Sequence, residues 1–302
     1  MRRCFQIAMI VGLVALGGGA LMVGCRPSGA GSASSRIAAG WERFAQGDFA
    51  PALAEFEAAL AALPGPSPTR LQALYGLATT WNLRRPGENP ERAERLYREV
   101  IDAAPADDLA AWSLLALARM PLLAPGAAVE RPDPTVLSKA YQAVIDRFPF
   151  HEAGEQAFLF QQAARLETSQ PEQARAALAA LDGFRTTHPH SPYTSGAWRL
   201  IGHACELLDL PERRLEAVRQ EWKTAEVDPL NAGQELALTY WTIATVAEFG
   251  AGDFGVAREY YRKLIAEYPD EQRVFLAKQE LKRMDELEAR LRTEAGARKE
   301  TP

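Results

Sequence analysis

The sequence predicts an all-α protein, a solenoid of about six helix pairs closed by a C-terminal capping helix. Of its 302 residues, 47% are hydrophobic and 24% charged, a balance that supports a folded core. Alanine, leucine, arginine and glutamate dominate, and these are strong helix formers, whereas alternating runs of valine and isoleucine are scarce. One spacing pattern also recurs six times, which indicates a repeated supersecondary unit.

The first 24 residues predict a signal peptide. Two arginines precede an apolar run that ends at Val23, and the small Gly24 separates this run from Cys25. The segment resembles the signals of bacterial lipoproteins, although Met22 stands where leucine is usual. The resemblance implies cleavage before Cys25 and lipid attachment to its thiol. Two alternatives remain, a secretory signal with an unrelated cysteine and an uncleaved transmembrane helix.

Residues 25–35 predict a flexible tether behind the lipidated cysteine. The stretch after Cys25 is small, polar and rich in glycine and serine, a composition typical of flexible linkers. Two or three acyl chains would anchor it stably, whereas one binds only marginally. Arg26 stands where an aspartate signals inner-membrane retention in enteric bacteria. By that resemblance the chain belongs to the cell envelope, on the outer membrane and facing the periplasm.

The recurring pattern is a small or aliphatic residue, a bulky residue four positions later and a proline twelve positions later. The first members are Ala52, Ala93, Leu137, Ala177, Ala217 and Ala257. The bulky positions hold Phe56, Tyr97, Tyr141, Leu181, Glu221 and Tyr261. The prolines are Pro64, Pro105, Pro149, Pro189, Pro229 and Pro269, and successive units lie 41, 44, 40, 40 and 40 residues apart.

Each part of this pattern has a physical reason. A residue and its neighbour four positions on share one helix face, so the small side chain lets two helices approach while the large one fills the adjacent space. Proline cannot continue a helix, so it ends the second helix of each unit. Longer turns, at residues 84–88 and 121–134, account for the long units because added loop length costs little free energy.

The pattern resembles the tetratricopeptide repeat over residues 36–270. The last unit carries Trp241, Gly252, Asp253, Phe254, Ala257, Tyr261 and Pro269. The first unit carries Gly40, Gly47, Asp48, Phe49, Ala52, Phe56 and Pro64. Glu221 departs from the aromatic position in the fifth unit. The resemblance implies a right-handed superhelix whose first helices line a concave groove for a protein partner.

Residues 271–294 predict the capping helix, and residues 295–302 a disordered tail. The predicted apolar stripe of this helix comprises Phe275, Leu281, Met284, Leu287 and Leu291. A solenoid needs such a terminal element, which covers the last repeat and presents a polar outer face. The alternative is that the stripe pairs with a partner helix in a coiled coil.

Groove contacts follow from the tetratricopeptide resemblance. The candidates are Trp41 and Phe44 in the first unit, Trp81 in the second, Arg199, His203 and Glu206 in the fifth, and Phe249 in the sixth. Aromatic and charged side chains in a groove would suit an extended peptide or a helix. The alternative places Trp41, Phe44 and Trp81 in the core between repeats.

No sequence motif supports catalysis. The chain has no glycine-rich phosphate loop, metal-binding His-Glu-x-x-His helix or nucleophile elbow. His188 and His190 flank Pro189 without an identifiable third ligand, so neither a metal nor a cofactor is expected. His203 with Glu206 could transfer protons, but no nucleophile accompanies them. Cys205 is expected to be a small buried apolar residue.

The sequence therefore predicts a lipid-tethered adaptor that binds another protein. The net charge of −5 argues against non-specific binding of nucleic acid, which requires a positive field. The turn at residues 188–193 resembles turns in repeat lipoproteins of outer-membrane β-barrel assembly, which makes that machinery the specific expectation. The alternative is a periplasmic module that binds peptides or glycans.

Overall fold

The computed structural model describes residues 29–82, 88–123, 132–226 and 231–299. Within these ranges the chain is helical throughout, without a strand, and the predicted fold class is confirmed. The helices are α1 (Gly29–Ala45), α2 (Phe49–Ala61), α3 (Pro68–Asn82), α4 (Pro90–Ala103), α5 (Asp108–Leu123), α6 (Pro134–Arg147), α7 (Glu152–Glu167), α8 (Pro171–Thr187), α9 (Thr194–Leu207), α10 (Pro211–Thr224), α11 (Ala232–Thr245), α12 (Phe254–Glu267) and α13 (Arg273–Lys299). A π-helical segment, Val246–Ala251, continues α11.

Six helix pairs reproduce the predicted repeats, from α1 with α2 to α11 with α12. The small or aliphatic member of each unit lies buried on the second helix: Ala52, Ala93, Leu137, Ala177, Ala217 and Ala257. Five of the six prolines follow the ends of second helices, as expected for residues that cannot continue a helix. The sixth, Pro229, lies outside the described residues.

The first helices form the inner side of the stack. α1 contacts α3, α3 contacts α5, α5 contacts α7 and α7 contacts α9. The contacts of the second helices run mainly to the first helices of their own and the next repeat, as α2 does with α3 and α4 with α5. Because neighbouring repeats meet more closely on the side of the first helices, that side is the concave one.

The helical repeat domain begins earlier in the chain than the sequence predicts. α1 starts at Gly29, so the predicted flexible tether is wrong for residues 29–35. Ala33 is fully buried and Ile37, one turn later, is nearly so, and both join the core cluster of the first repeat. This burial favours helix over the flexibility that the glycine and serine content suggested. The predicted signal peptide and Cys25 lie outside the described residues.

The last helix is longer than predicted, and its buried face differs. α13 runs to Lys299, so the predicted disordered tail is wrong for residues 295–299. Its buried face comprises Val274, Ala277 and Met284, whereas Phe275 is 67% exposed and Leu291 52% exposed. Phe275 follows Val274 directly and therefore points about 100° away from the buried face. The predicted stripe is wrong for these two exposed residues.

One predicted turn is partly helical. The sequence predicts that Pro121 lies in a long turn, but α5 continues to Leu123 and contains Pro121 near its end. A proline there removes one backbone hydrogen bond, and the burial of Ala118 one turn earlier helps to maintain the helix. Residues 83–87 and 124–131 lie outside the described ranges. Among the described helices, none combines the length and apolarity needed to cross a bilayer.

Candidate protein-binding groove

Two of the predicted groove residues, Trp41 and Phe44, are half-buried in the first repeat. The Trp41 ring meets Phe56 edge-on at 5.2 Å and Phe44 at 5.5 Å between centroids. Phe44 in turn meets Phe49 at 5.5 Å. Both side chains thus join the aromatic core between α1 and α2, and they offer a partner only part of their surface.

Trp81 is half-buried at the junction of the first two repeats. Its ring packs against the core cluster of the first repeat and also against the cluster that contains Tyr97. The guanidinium of Arg92 lies 4.8 Å from the ring centroid. These contacts place Trp81 among the side chains that join neighbouring repeats. This is the alternative to a groove position that the sequence left open.

α9 presents three charged or polar side chains on one face. Arg199, His203 and Glu206 follow each other at spacings of four and three residues, and all three are exposed. Arg199 donates from Nε to Oε1 of Glu221 at 2.7 Å. Arg214 lies 3.1 Å from Glu206. α10 thus holds the two outer side chains in place, and His203 faces solvent between them.

The contact with Arg199 also explains the departure at Glu221. The other repeats carry a large apolar side chain at this position of the second helix, and each of those is buried. Glu221 keeps about a quarter of its side-chain surface exposed and pairs with the first helix of its own repeat. A partly exposed ion pair between α9 and α10 thus replaces an apolar contact between these two helices.

Phe249 is the most exposed aromatic ring among the predicted groove residues. It lies in the π-helical segment at the end of the sixth first helix and is 63% exposed. The guanidinium of Arg283, on α13, lies 5.0 Å from the ring centroid, within the range of a cation–π contact. The ring is therefore open to solvent but held in position from one side.

A buried carboxylate holds Arg283 in turn. Glu248 is only 5% exposed, and its Oε2 accepts a hydrogen bond from the Tyr261 hydroxyl at 2.9 Å. Its Oε1 accepts from Arg283, which also donates from Nε to Glu280 at 2.6 Å. Burial raises the pKa of Glu248 above its ordinary value, and it likewise raises the pKa of Tyr261. Neither Glu248 nor Arg283 is among the groove residues that the sequence predicts.

The π-helical segment determines where these groups point. A π turn is wider than an α turn, so it shifts the side chains that follow it around the helix axis. Gly252 follows the last residue of this segment, and its φ of +66° is favourable only for residues such as glycine. The carboxylate of Asp253 then caps α12 by accepting from the amide of Val256 at 3.0 Å.

Of the two histidines that flank Pro189, His188 has structural partners. His188 Nδ1 lies 3.0 Å from Oε1 of Glu155, and its ring stacks on Phe184 at 4.7 Å. His190 is exposed in the turn. The hydroxyl of Ser191 accepts a hydrogen bond from the amide of Tyr193 at 3.1 Å, within the turn that precedes α9. In the described part of the chain no three potential ligands come together as a metal site would require.

A polar cavity of about 470 Å³ lies at the edge of the sixth repeat, away from the predicted groove residues. It opens between the start of α11 and the turn that leads into α13. Its lining residues are Asn231, Gln234, Glu235, Leu238, Glu271, Gln272 and Arg273. Most of these side chains can form hydrogen bonds, so the cavity could take a small polar ligand.

Comparison with known proteins agrees with the helical-repeat geometry. A family model described as tetratricopeptide repeat matches residues 239–271, which contain the π-helical segment and α12. No protein of curated function matches the sequence. The family match is thus local, to one of the six repeats.

Two solved structures, those of PilW and PilF, share the fold. PilW, a type IV pilus biogenesis factor, is 17% identical with a TM-score of 0.51, over 80% of this chain and 95% of PilW. Pseudomonas aeruginosa PilF is 14% identical with a TM-score of 0.50, over 84% of this chain and 97% of PilF. A chain of the Cut9–Hcn1 complex is 16% identical with a TM-score of 0.49, and the match spans 42% of its length. At these identities the likeness is one of fold.

Proposed function

We propose that this chain is a membrane-tethered adaptor that holds a protein partner in its concave groove during assembly of the bacterial envelope. The observation that carries the proposal is the exposed ring of Phe249, held by Arg283 at the end of the inner helices. Soluble proteins expose scattered apolar residues, but aromatic and arginine side chains side by side are typical of binding hot spots.

The surroundings of Phe249 favour binding because they are already ordered. The side chain of Glu248 is only 1% exposed, and it ties Arg283 to the last repeat. A partner that packs against Phe249 and Arg283 would therefore lose little entropy by ordering them. The outer polar side chains of α9 are held in a similar way by Glu221 and Arg214.

The partner is a segment with one apolar anchor and polar neighbours. Its anchor would pack against Phe249, while hydrogen-bonding groups would face His203 and Glu206 on α9. An extended peptide or an amphipathic helix supplies such an arrangement, and both bind in grooves between helices. The half-buried rings of Trp41, Phe44 and Trp81 would contribute only edges to this surface.

Attachment to the membrane is part of the proposal. Lipid at Cys25 would anchor the chain, and α1 begins at Gly29, only four residues later. The repeats would therefore lie close to the membrane surface, in the periplasm. PilW is a pilus biogenesis factor, and its likeness in fold adds pilus assembly to β-barrel assembly as a pathway worth testing.

The groove is tested by crosslinking in intact cells, followed by capture of the full chain from the membrane fraction. Phe249→Ala and His203→Ala should reduce the captured partner by about tenfold or more, as removal of a hot-spot residue does. Phe150→Ala is the matched control, because that ring is 82% exposed in the turn between α6 and α7. Equal capture by all four proteins would reject the groove as the binding surface.

Lipid attachment is tested separately with Cys25→Ser. Cells fed labelled palmitate should label the wild-type chain and not the variant, and the variant should leave the membrane fraction. Arg26→Ser is the matched control, which should keep both label and membrane association. Labelling of Cys25→Ser equal to that of wild type would contradict lipid attachment at this residue.

A second candidate function rests on the polar cavity beside α11. A peptide- or glycan-binding module would use this cavity, and its ligand would raise the melting temperature increasingly as the ligand concentration exceeds the dissociation constant. Titration of the full chain with soluble cell-wall glycopeptides tests this function, and Gln234→Ala, which shortens a lining side chain, should show a smaller rise in melting temperature. An unchanged melting temperature at millimolar ligand would argue against it.

A further inference from the structure

A cleft separates α11 from α13 at the C-terminal end of the repeats. At one end its two sides are joined, because Arg283 of α13 pairs with Glu248 and lies over the ring of Phe249. At the other end they enclose the polar cavity of about 470 Å³, between the start of α11 and the start of α13. The two helices are also less closely packed than α7 and α9. We call the space from this cavity to Phe249 the C-terminal cleft.

One wall of the C-terminal cleft is the exposed face of α11. Glu235, Leu238 and Thr242 follow each other at spacings of three and four residues, so they lie on one face. Glu235 and Leu238 line the cavity, and Leu238 is 48% exposed. Phe249 comes later on the same helix, about 16 Å beyond Leu238 along the axis. This wall therefore has an acidic end, an exposed leucine and an exposed aromatic ring.

The opposite wall is one face of α13. Its residues recur at spacings of three and four, and they are Arg273, Leu276, Glu280 and Arg283. Arg273 lines the cavity, and Leu276, one turn further on, is 47% exposed. Each wall thus presents an exposed leucine beside the cavity. A small polar ligand in the cavity would leave both leucines in contact with water, whereas a protein segment would cover them.

The charge that remains at the cavity is negative. Arg273 pairs with Glu271, so these two lining residues neutralise each other. Arg283, at the closed end, pairs with two carboxylates of its own chain. Among the residues that the structure describes, no lysine or arginine pairs with Glu235. A partner whose charge complements the cavity is therefore basic at this point.

We propose that the C-terminal cleft holds an extended basic and apolar segment of the partner protein. A lysine or arginine of this segment lies in the cavity beside Glu235, and an apolar side chain packs against Leu238 and Leu276. The inference rests on the proposed function, because it continues the path of the partner from its anchor at Phe249 along α11. It adds the chemistry of the partner, which the groove residues on α9 leave open.

The length of the C-terminal cleft gives the spacing of the partner's side chains. Leu238 and Phe249 are about 16 Å apart along the helix axis, which an extended chain spans with about five residues. A basic residue should therefore stand beside one apolar residue, and a second apolar residue should follow about five positions away. The second apolar residue is the anchor that meets Phe249.

Selection from a library of displayed random peptides tests this chemistry. The purified full chain, in detergent, is offered peptides of about twelve residues, which span about 40 Å when extended. The wild type should enrich lysine or arginine beside an apolar residue, with the spacing given above. Glu235→Lys should instead enrich aspartate or glutamate at the basic position. Peptides that the wild type selects should bind to Glu235→Lys at least about tenfold more weakly.

Two matched controls separate the C-terminal cleft from the rest of the surface. Glu172→Lys reverses a 79% exposed carboxylate in the first turn of the outer helix α8, as Glu235→Lys does in the first turn of α11, and it should select the same peptides as wild type. Leu238→Ala should weaken binding about fivefold or more, because it removes apolar contact area. Val136→Ala, which truncates a 57% exposed side chain on the outer helix α6, should not. Circular dichroism confirms that each variant is folded.

Three results would overturn the proposal. The wild type could enrich no peptides, or peptides without a basic position. Glu235→Lys could select the same peptides as wild type, or Glu172→Lys could change the selection equally. Leu238→Ala could bind the selected peptides as tightly as wild type does.

Phe249→Ala distinguishes this proposal from the proposed function. Loss of peptide binding in Phe249→Ala, with full binding in Glu235→Lys and Leu238→Ala, would keep the groove as the binding surface and reject the C-terminal cleft. Loss in Glu235→Lys and Leu238→Ala, with full binding in Phe249→Ala, would support the cleft and reject Phe249 as the anchor.

Discussion

The ring of Phe56 occupies the space where a side chain at Gly76 would lie. A β-carbon added to Gly76 would come within 2.5 Å of Cε1 of Phe56, and one added to Gly40 within 2.7 Å. Phe56 is fully buried on α2. A single ring thus packs against the bare backbones of α1 and α3 and joins the first repeat to the second.

Gly76→Ala should therefore destabilise the protein. The added methyl group would force a fully buried ring to move, and overfilling a core costs about 1–3 kcal/mol in the free energy of unfolding. Urea denaturation followed by circular dichroism measures the loss. Gly183→Ala is the matched control, because Gly183 lies inside α8 with open space around it. That variant should gain about 0.5–1 kcal/mol, since alanine favours helix over glycine. Equal effects of the two substitutions would contradict this account of Phe56.

The buried Glu248 should make stability depend on pH. Its folded pKa is raised above the unfolded value of about 4.5, chiefly by burial. Between the two pKa values the folded state binds more protons, so the free energy of unfolding falls as the pH rises. Glu248→Gln removes this titration. The stability of wild type relative to Glu248→Gln should therefore decline as the pH rises above about 4.5.

Urea denaturation at pH values from about 4 to 8 measures this trend. Glu280→Gln is the control, because Glu280 contacts the same arginine but is more exposed. Its stability relative to wild type should vary less over the same range. A constant difference between wild type and Glu248→Gln at every pH would show that Glu248 is not titrating as its burial requires.

Truncation of Trp81 should destabilise the protein much more than truncation of Phe249. Trp81→Ala removes contacts with two core clusters and should lower the free energy of unfolding by about 2 kcal/mol, less than a fully buried ring would. Phe249→Ala removes a ring that is 63% exposed and should cost about 0.5 kcal/mol or less. Thermal melting of both variants compares them. A large loss for Phe249→Ala would assign that ring to structure instead of binding.

The thiol of Cys205 should be unreactive in the folded protein. It is fully buried, and burial raises its pKa, so little thiolate is available. In a chain with serine at positions 4 and 25, maleimide should label Cys205 only after urea unfolds the protein. Ala289→Cys in the same background provides an exposed thiol for comparison, and it should react at once. Equally rapid labelling of Cys205 would mean that the fifth repeat opens readily.

The repeats could be predicted from the sequence because their physics is local. A buried alanine, a bulky residue one turn later and a proline after the helix lie within thirteen residues, as Ala52, Phe56 and Pro64 do. Helix faces and helix ends depend on such short spacings. The same reasoning located α13, although Phe275 was assigned to the wrong face. The tetratricopeptide resemblance also predicts Phe249 as a groove residue, and the structure shows its ring 63% exposed.

Tertiary structure alone decided which side chains are buried and which are paired. Glu248 and Arg283 are 35 residues apart in sequence, and only the docking of α13 on the last repeat brings them together. Trp81 and Phe249 are both aromatic residues near the ends of first helices, yet one lies between two core clusters and the other faces solvent. The sequence by itself determined the helices, their repeat and their ends, since these follow from neighbours along the chain. Burial and pairing follow from neighbours in space, which only the folded arrangement supplies.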